Sequence, residues 1–128
     1  MNCFVIAQPY GYNCVEKHRS GRSGGGVAIF IRNLVKHQRL FKYERNAIEA
    51  IWIQLKTIEG KLALCCCYRP PDKLGGAPPD LFWDYLDEQL DMLRKDNYKH
   101  VMIIGDMNAD FHSQHGRNLT DLTVSGKI

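Results

Sequence analysis

The sequence has no apolar stretch long enough to cross a membrane, and no basic residue precedes the apolar part of its first segment. That apolar part is also shorter than a secretory signal requires. Internal repeats and low-complexity tracts are absent as well, which argues against a repeat architecture. We therefore expect an intracellular protein, located in the nucleus or the cytoplasm.

The five cysteines lack the CxxC spacing that is typical of zinc sites and redox motifs. Three of them are consecutive, at residues 65–67. Because neighbouring residues of a strand face opposite sides, this triplet cannot converge on one metal ion. We predict reduced cysteines that serve as small apolar residues of a buried strand.

Two other binding patterns are incomplete. The glycine run at residues 24–26 is not followed by Lys-Ser or Lys-Thr, and a strand pattern follows it instead of a helix, which argues against a P-loop. We interpret this run as a turn that could bring Arg19 and Arg22 close to DNA phosphates. Three candidate zinc ligands fit solvated loop positions better, namely Asp110, His112 and His115.

The 128 residues are 45% apolar, which is enough for the core of one small domain or of part of a larger one. The net charge is +3, and basic residues cluster around residues 17–22 and 32–42, whereas acidic residues gather in residues 80–91. Such an asymmetry could place one basic face against a nucleic-acid backbone. Ordinary solvated loops are the alternative explanation.

Runs of almost continuous apolar residues predict β-strands at residues 26–31, 48–55, 61–68 and 101–104. A weaker strand is predicted at residues 12–17. The second and third runs flank Glu59-Gly60, so we expect them to pair across a turn there. Because the runs lack polar alternation, their sheet should be covered on both faces.

One helix is predicted to begin near Asp80, after two prolines, and to stop near Asn97. Its apolar residues recur at helical spacing, namely Phe82, Leu86, Leu90 and Leu93. The helix connects the strand that ends at Tyr68 to the strand before Asp106, so it would be a right-handed crossover if these strands are parallel. A further helix could start within residues 117–124.

The most informative stretch is Gly-Asp-Met-Asn-Ala-Asp at residues 105–110, directly after a predicted core strand. If the backbone turns at Gly105 and then stays extended, Asp106 and Asn108 project from the same side. A carboxylate that can accept a proton or hold a metal would then lie beside a carboxamide. This pair could position a water molecule against a phosphodiester. An ordinary turn is the alternative.

Tyr68 and Arg69 end another predicted strand. Because strand ends of a covered sheet often meet at one edge, we expect Tyr68 and Asp106 to lie close together. Arg69 could then bind phosphate oxygens, and Tyr68 could hydrogen-bond one of them. The alternatives are that Tyr68 caps the core and that Arg69 is a surface cation.

Four motifs occur in a fixed order, at residues 19–29 (RSGRSGGGVAI), 48–52 (IEAIW), 68–71 (YRPP) and 105–110 (GDMNAD). Together they resemble the endonuclease/exonuclease/phosphatase family, and most of all the endonuclease domain of non-LTR retrotransposons. The similarity extends over residues 11–116. Each motif is weak alone, but their order with the intervening helix is fairly specific.

The resemblance implies a DNase I-like, four-layer αββα sandwich and phosphodiester cleavage that depends on Mg²⁺. It implies that Asp106 orients or deprotonates the attacking water and contributes to the metal site. Asn108 would steady the water or the phosphate, and Tyr68 would support the scissile phosphate. The partner would be DNA, nicked so that a reverse transcriptase domain of the same element can extend the new end.

The sequence departs from the family pattern in two important places. The metal-binding glutamate of an early strand has no counterpart, since Glu16 and Glu49 belong to other segments, and the final aspartate–histidine pair is also missing. Met107 replaces the usual phenylalanine, which is a tolerable apolar exchange. We therefore expect a partial domain across residues 1–128.

These departures lead to a hypothesis of an endonuclease fragment that has little or no activity alone. A catalytically dead remnant that binds nucleic acid or another partner is the first alternative. A phosphoesterase of the same fold that acts on small molecules is the second. The enzyme hypothesis needs the missing glutamate and histidine to come from elsewhere, whereas the remnant needs only the basic segments.

Overall fold

The computed structural model describes residues 8–19, 25–71, 80–109 and 117–118. Within these ranges the chain is a mixed α/β structure with two β-sheets. Its strands are β1 (Tyr12–His18), β2 (Gly26–Arg32), β3 (His37–Arg39), β4 (Glu49–Thr57), β5 (Gly60–Tyr68) and β6 (His100–Asp106). A 3₁₀ turn at Phe41–Tyr43 precedes β4, and helix α1 (Asp80–Lys95) lies between β5 and β6.

The predicted strands and the predicted helix are confirmed, with shifts of one or two residues at their ends. Strand β3 and the 3₁₀ turn were not predicted, because segments of three residues carry too little periodicity to be recognised. Of the further helix expected at residues 117–124, only residues 117 and 118 are described, and they are helical. In the described part of the chain, no helix is long and apolar enough to span a membrane.

Helix α1 ends just before Asn97, near the position that the sequence predicts. Asn97 adopts a left-handed conformation, with φ of 67°. The N–H of Asn97 donates to the carbonyl of Arg94 at 3.1 Å, and the N–H of Tyr98 donates to the carbonyl of Leu93 at 3.0 Å. This pair of hydrogen bonds is a Schellman motif, which satisfies carbonyls that the helix end leaves unpaired.

The larger sheet has the strand order β3-β4-β5-β6, and the smaller sheet consists of β1 and β2. Strands β4 and β5 form the predicted antiparallel hairpin, whose turn precedes Gly60. Strands β5 and β6 are parallel, as expected for strands that a helix connects. The carboxyl ends of β5 and β6 therefore lie at the same edge of the sheet.

Helix α1 packs on one face of the larger sheet. Its apolar side contributes Leu86 and Leu93 to a core with Trp52 and Cys65, and all four side chains are essentially inaccessible to solvent. Burying a leucine side chain stabilises a fold by about 1.5–3 kcal/mol, so this face supplies much of the driving force for folding. The indole N–H of Trp52 is satisfied because it donates to the Tyr85 hydroxyl at 2.9 Å.

The smaller sheet packs on the opposite face. Ile31 of β2 contacts a cluster around Ile51 and Ile53 of β4, so β4 is buried on both sides. Strand β6 lies beyond this cover, and Met102 and Ile104 are 50% and 44% exposed. The prediction that every strand of the sheet is covered on both faces is therefore wrong for β6, among the residues that the structure describes.

The cysteine triplet behaves as small apolar residues of a strand. Cys65 and Cys67 are buried on the α1 side, and Cys66 is half-buried on the other side. Their thiols are free, as predicted. Burial raises the pKa of the Cys65 and Cys66 thiols, which favours the unreactive protonated form. Cys3 lies outside the described residues.

Candidate functional site

Three polar side chains form a row across the carboxyl-end edge of the larger sheet. Tyr68 at the end of β5 is the register partner of both Glu49 in β4 and Asp106 in β6. Cross-strand partners project from the same face and lie about 5 Å apart, so the row spans about 10 Å between its outer Cα atoms. The predicted proximity of Tyr68 and Asp106 is confirmed. We call this row the rim, together with the residues that contact it, namely Arg19, Arg69 and Asn108.

The chain turns immediately after Asp106. One carboxylate oxygen of Asp106 accepts a hydrogen bond from the N–H of Asn108 at 2.9 Å, and Asn108 adopts a left-handed conformation with φ of 45°. The expectation of a turn at Gly105 followed by extended backbone is therefore wrong, because β6 continues through Gly105 and the Asp106 side chain closes a turn. The alternative of an ordinary turn describes the backbone correctly.

A glycine is needed at position 105 because the backbone of β5 passes very close to it. A Cβ atom at this position would lie 1.8 Å from the carbonyl oxygen of Cys67, and the φ of Gly105 is 145°. Both the contact and the backbone conformation exclude larger residues. The glycine thus permits the pairing that places Asp106 next to Tyr68.

Arg69 fixes the turn from the neighbouring strand end. Its Nε donates to the Met107 carbonyl at 2.7 Å and its Nη2 donates to the Asn108 carbonyl at 2.9 Å. In return, the side-chain amide of Asn108 donates to the Arg69 carbonyl at 2.6 Å. Only 5% of Arg69 is exposed, so it is not the surface cation considered as an alternative. Its contact with DNA stays a prediction.

Arg19, which follows β1, reaches the rim from the smaller sheet. Its Nε and Nη2 donate to the two carboxylate oxygens of Glu49 at 2.8 and 3.1 Å. Its guanidinium carbon lies 5.7 Å from the centre of the Tyr68 ring. The hydrogen bonds to Glu49 act most strongly in raising the pKa of Arg19, and the nearby Tyr68 side chain adds to the effect. Arg22 lies outside the described residues.

Glu49 is the rim residue that the sequence analysis placed in another motif. Glu49 lies 30 positions after Arg19 and 19 positions before Tyr68, so no local spacing connects these three residues. The only local signal is its position at the start of an apolar strand, where a charged residue requires a partner.

Several other cations of the basic clusters have local partners. Arg39 makes a bidentate contact with Glu44 at 3.0 and 2.9 Å. Lys42 pairs with Asp96 at 2.7 Å, and Lys17 donates to the carbonyl of Arg45 at 2.6 Å. The charges of Arg39 and Lys42 are therefore compensated locally, whereas Arg19 lies beside Tyr68 at the rim.

A sequence profile of the Endonuclease/Exonuclease/phosphatase family matches residues 3–126. The chain belongs to this family. It is also 35% identical over 54 residues to the "RNA-directed DNA polymerase from mobile element jockey" of Drosophila funebris. That similarity covers 42% of this chain and only 6% of the relative. No solved structure matches the chain.

The family implies a divalent metal, and the described donors fit a complete site poorly. No group of three or more acidic, histidine or cysteine side chains converges in the part of the chain that the structure describes. Of the two rim carboxylates, Glu49 is occupied by Arg19, and Asp106 bonds the Asn108 N–H through one oxygen. Mg²⁺ generally needs carboxylate anchors together with water and phosphate oxygens. The candidate zinc ligands at residues 110–115 lie outside the described residues.

Proposed function

We propose that this chain forms part of the DNA endonuclease domain of a non-LTR retrotransposon and that its rim binds a phosphodiester of DNA. The observation that carries the proposal is the register of Tyr68 with Asp106 at the carboxyl ends of parallel strands. In α/β sheets such ends are the usual place for ligands. The helix and the two sheets correspond to three layers of an αββα sandwich, which we propose as the complete fold.

Each rim residue has a role that its chemistry supports. The second carboxylate oxygen of Asp106 can orient or deprotonate a water molecule. The amide nitrogen of Asn108 is used by the Arg69 carbonyl, so the amide oxygen is the atom that can accept a hydrogen bond from that water. The phenol of Tyr68 and the guanidinium of Arg19 can donate hydrogen bonds to phosphate oxygens.

Cleavage requires more than these groups. The described donors do not complete a magnesium site, and the Tyr68 phenol is the proton donor in register with Asp106 among the residues that the structure describes. We propose that a second carboxylate and an acid–base group come from outside the described residues. The expected result is a chain that binds DNA but nicks it slowly when it is tested alone.

The test combines binding and cleavage. Titration of a fluorescent duplex at several salt concentrations should give salt-dependent binding, because phosphate contacts release counterions. Arg19→Ala should weaken binding more than Arg94→Ala, which removes the same charge from the exposed end of α1. Supercoiled plasmid with Mg²⁺ should be nicked only slowly. Rapid nicking that Asp106→Ala abolishes would show that the site is complete, and equal effects of the two arginine variants would remove the rim from the DNA interface.

A catalytically dead binding remnant is the second candidate. It is favoured by the contact between Arg19 and Glu49, the register partner of Tyr68 in β4. This contact occupies the Glu49 carboxylate, so that carboxylate is not open to a metal ion. Restoring a complete domain by extending the reading frame separates the two candidates, because an endonuclease gains nicking activity and a remnant does not. Hydrolysis of inositol phosphates without DNA binding would instead indicate a phosphoesterase for small molecules.

A further inference from the structure

We propose that Glu49 is a positioning residue that, with Gly25, holds the Arg19 guanidinium against Tyr68, and that Arg19 and Tyr68 together form a clamp for one phosphate group. This inference rests on the proposed binding of DNA at the rim. It assigns a task to Glu49, which lies in the motif at residues 48–52 without a role of its own, and to Gly25 of the glycine run, which fits no phosphate-binding loop.

The contact between Arg19 and Glu49 fixes the orientation of the Arg19 guanidinium. Two parallel hydrogen bonds, at 2.8 and 3.1 Å, fix the plane of the guanidinium as one bond could not. The side chain of Glu49 is 11% exposed and that of Arg19 is 30% exposed, so water competes weakly for the contact. Because Arg19 follows β1 and Glu49 begins β4, the pair also joins the two sheets at the rim.

Gly25 leaves the space that the guanidinium occupies. A Cβ atom at Gly25 would lie 2.8 Å from the central carbon of the Arg19 guanidinium and 3.1 Å from two of its nitrogens. Any larger residue must displace the arginine side chain, because that flexible group yields before the backbone does. The glycine therefore determines where the guanidinium can lie.

The clamp also leaves the proton of the Tyr68 hydroxyl unused by Arg19. The Arg19 guanidinium carbon lies 5.7 Å from the centre of the Tyr68 ring, and arginine can only donate hydrogen bonds, so it cannot accept the phenol proton. The phenol proton is then available to a phosphate oxygen, beside the positive charge of the guanidinium. Glu49 acts through Arg19 and does not contact the phosphate.

The first test uses the sign of the change in affinity. Glu49→Gln removes a negative charge, so simple electrostatics predicts tighter binding of duplex DNA. The clamp predicts binding that is about five- to tenfold weaker, because a mobile guanidinium loses its bidentate geometry. Glu44→Gln is the matched control, since Glu44 makes the same kind of bidentate contact with Arg39 away from the rim. It should leave the affinity unchanged or slightly higher.

The second test keeps the charge constant. Gly25→Ala should weaken DNA binding by displacing Arg19, whereas Gly11→Ala should not. Gly11 has a similar φ, 81° against 86°, but no atom lies within 4 Å of an added Cβ there. Both substitutions introduce the same backbone strain, so the difference between them reports the displaced guanidinium. Thermal melting of each variant shows whether it is folded.

The outcomes separate the inference from the proposed function. If Arg19→Ala weakens binding but folded Glu49→Gln and Gly25→Ala do not, Arg19 contacts DNA without a clamp and the inference is wrong. If Arg19→Ala has no larger effect than Arg94→Ala, the proposed function of the rim fails as well. Tighter binding by Glu49→Gln also overturns the inference, because Glu49 then only neutralises Arg19.

Discussion

The pairing of β5 with β6 depends on the absence of a side chain at Gly105, and Gly105→Ala tests this dependence. An added Cβ atom would lie 1.8 Å from the Cys67 carbonyl oxygen and 2.8 Å from the Cys67 carbonyl carbon. Since such contacts are essentially never shorter than 3.0 Å, the two backbones must separate by about 1.2 Å. Unlike the Arg19 side chain beside Gly25, neither backbone can rotate away.

The expected cost follows from the groups that this separation affects. Forcing alanine into a left-handed conformation costs about 1 kcal/mol. Each weakened hydrogen bond of the strand ends costs about 1 kcal/mol more, and the bond from the Arg69 N–H to the Asp106 carbonyl, 2.9 Å long, adjoins the contact. The strain, this bond and one adjoining bond of the β5–β6 ladder together give a total loss of about 3 kcal/mol, which lowers the melting temperature of a domain of this size by about 10 °C.

Gly60→Ala is the control for this prediction. Gly60 has φ of 124° but has no atom within 4 Å of an added Cβ, so its substitution introduces the backbone strain without the steric contact. We expect a loss of only about 1 kcal/mol for this variant. Urea denaturation followed by tryptophan fluorescence measures both values. Equal destabilisation by the two variants would refute the explanation from β5–β6 packing.

Three further predictions concern groups that hold the fold and the turn. Tyr85→Phe should destabilise the fold by about 1–3 kcal/mol in urea denaturation, because it leaves the buried Trp52 indole N–H, now bonded at 2.9 Å, without its acceptor. Arg69→Lys should cost about 2 kcal/mol and weaken DNA binding, since the two loop carbonyls accept from separate nitrogens of the rigid guanidinium and a lysine has its donors on one nitrogen. Unchanged affinity would argue against a role of the turn in binding. Hydrogen bonds from Lys42, the stronger cause, and from Tyr43 lower the pKa of Asp96 in the folded protein. The contribution of Asp96 to folding stability is therefore present above its unfolded-state pKa of about 3.9 and is lost as the pH falls further. Asp96→Asn should therefore be less stable than the wild type at pH 7, and this difference should shrink at pH 3.

Much of the secondary structure could be predicted from the sequence, because it depends on neighbours along the chain. The spacing of Phe82, Leu86, Leu90 and Leu93 defines the helix whether or not a sheet is present, and Asn97 ends it through bonds within its own last turn. The apolar runs likewise predict the strands. Segments too short to show a period, such as β3, were missed for the same reason.

The predictions that were wrong depend on what covers or crosses a segment. Residues 101–104 have the apolar composition of a strand buried on both faces, yet Met102 and Ile104 are exposed because, among the described residues, the smaller sheet packs on β4 and β5 and not on β6. Extended backbone after Asp106 was a reasonable expectation for the end of a strand. It is wrong because the Asp106 carboxylate bonds the N–H two residues later, which competes with extension of the strand.

The sequence by itself determined the elements, the residue types at their ends and the family to which the chain belongs, since all three are written in local patterns. Only the tertiary structure decided the register that aligns Glu49, Tyr68 and Asp106, the burial of Arg69 under the turn and the contact of Arg19 with the rim. Register and burial result from backbone pairing and packing between segments tens of residues apart. No spacing along the chain encodes such contacts, so the site could be foreseen in its parts but not in its arrangement.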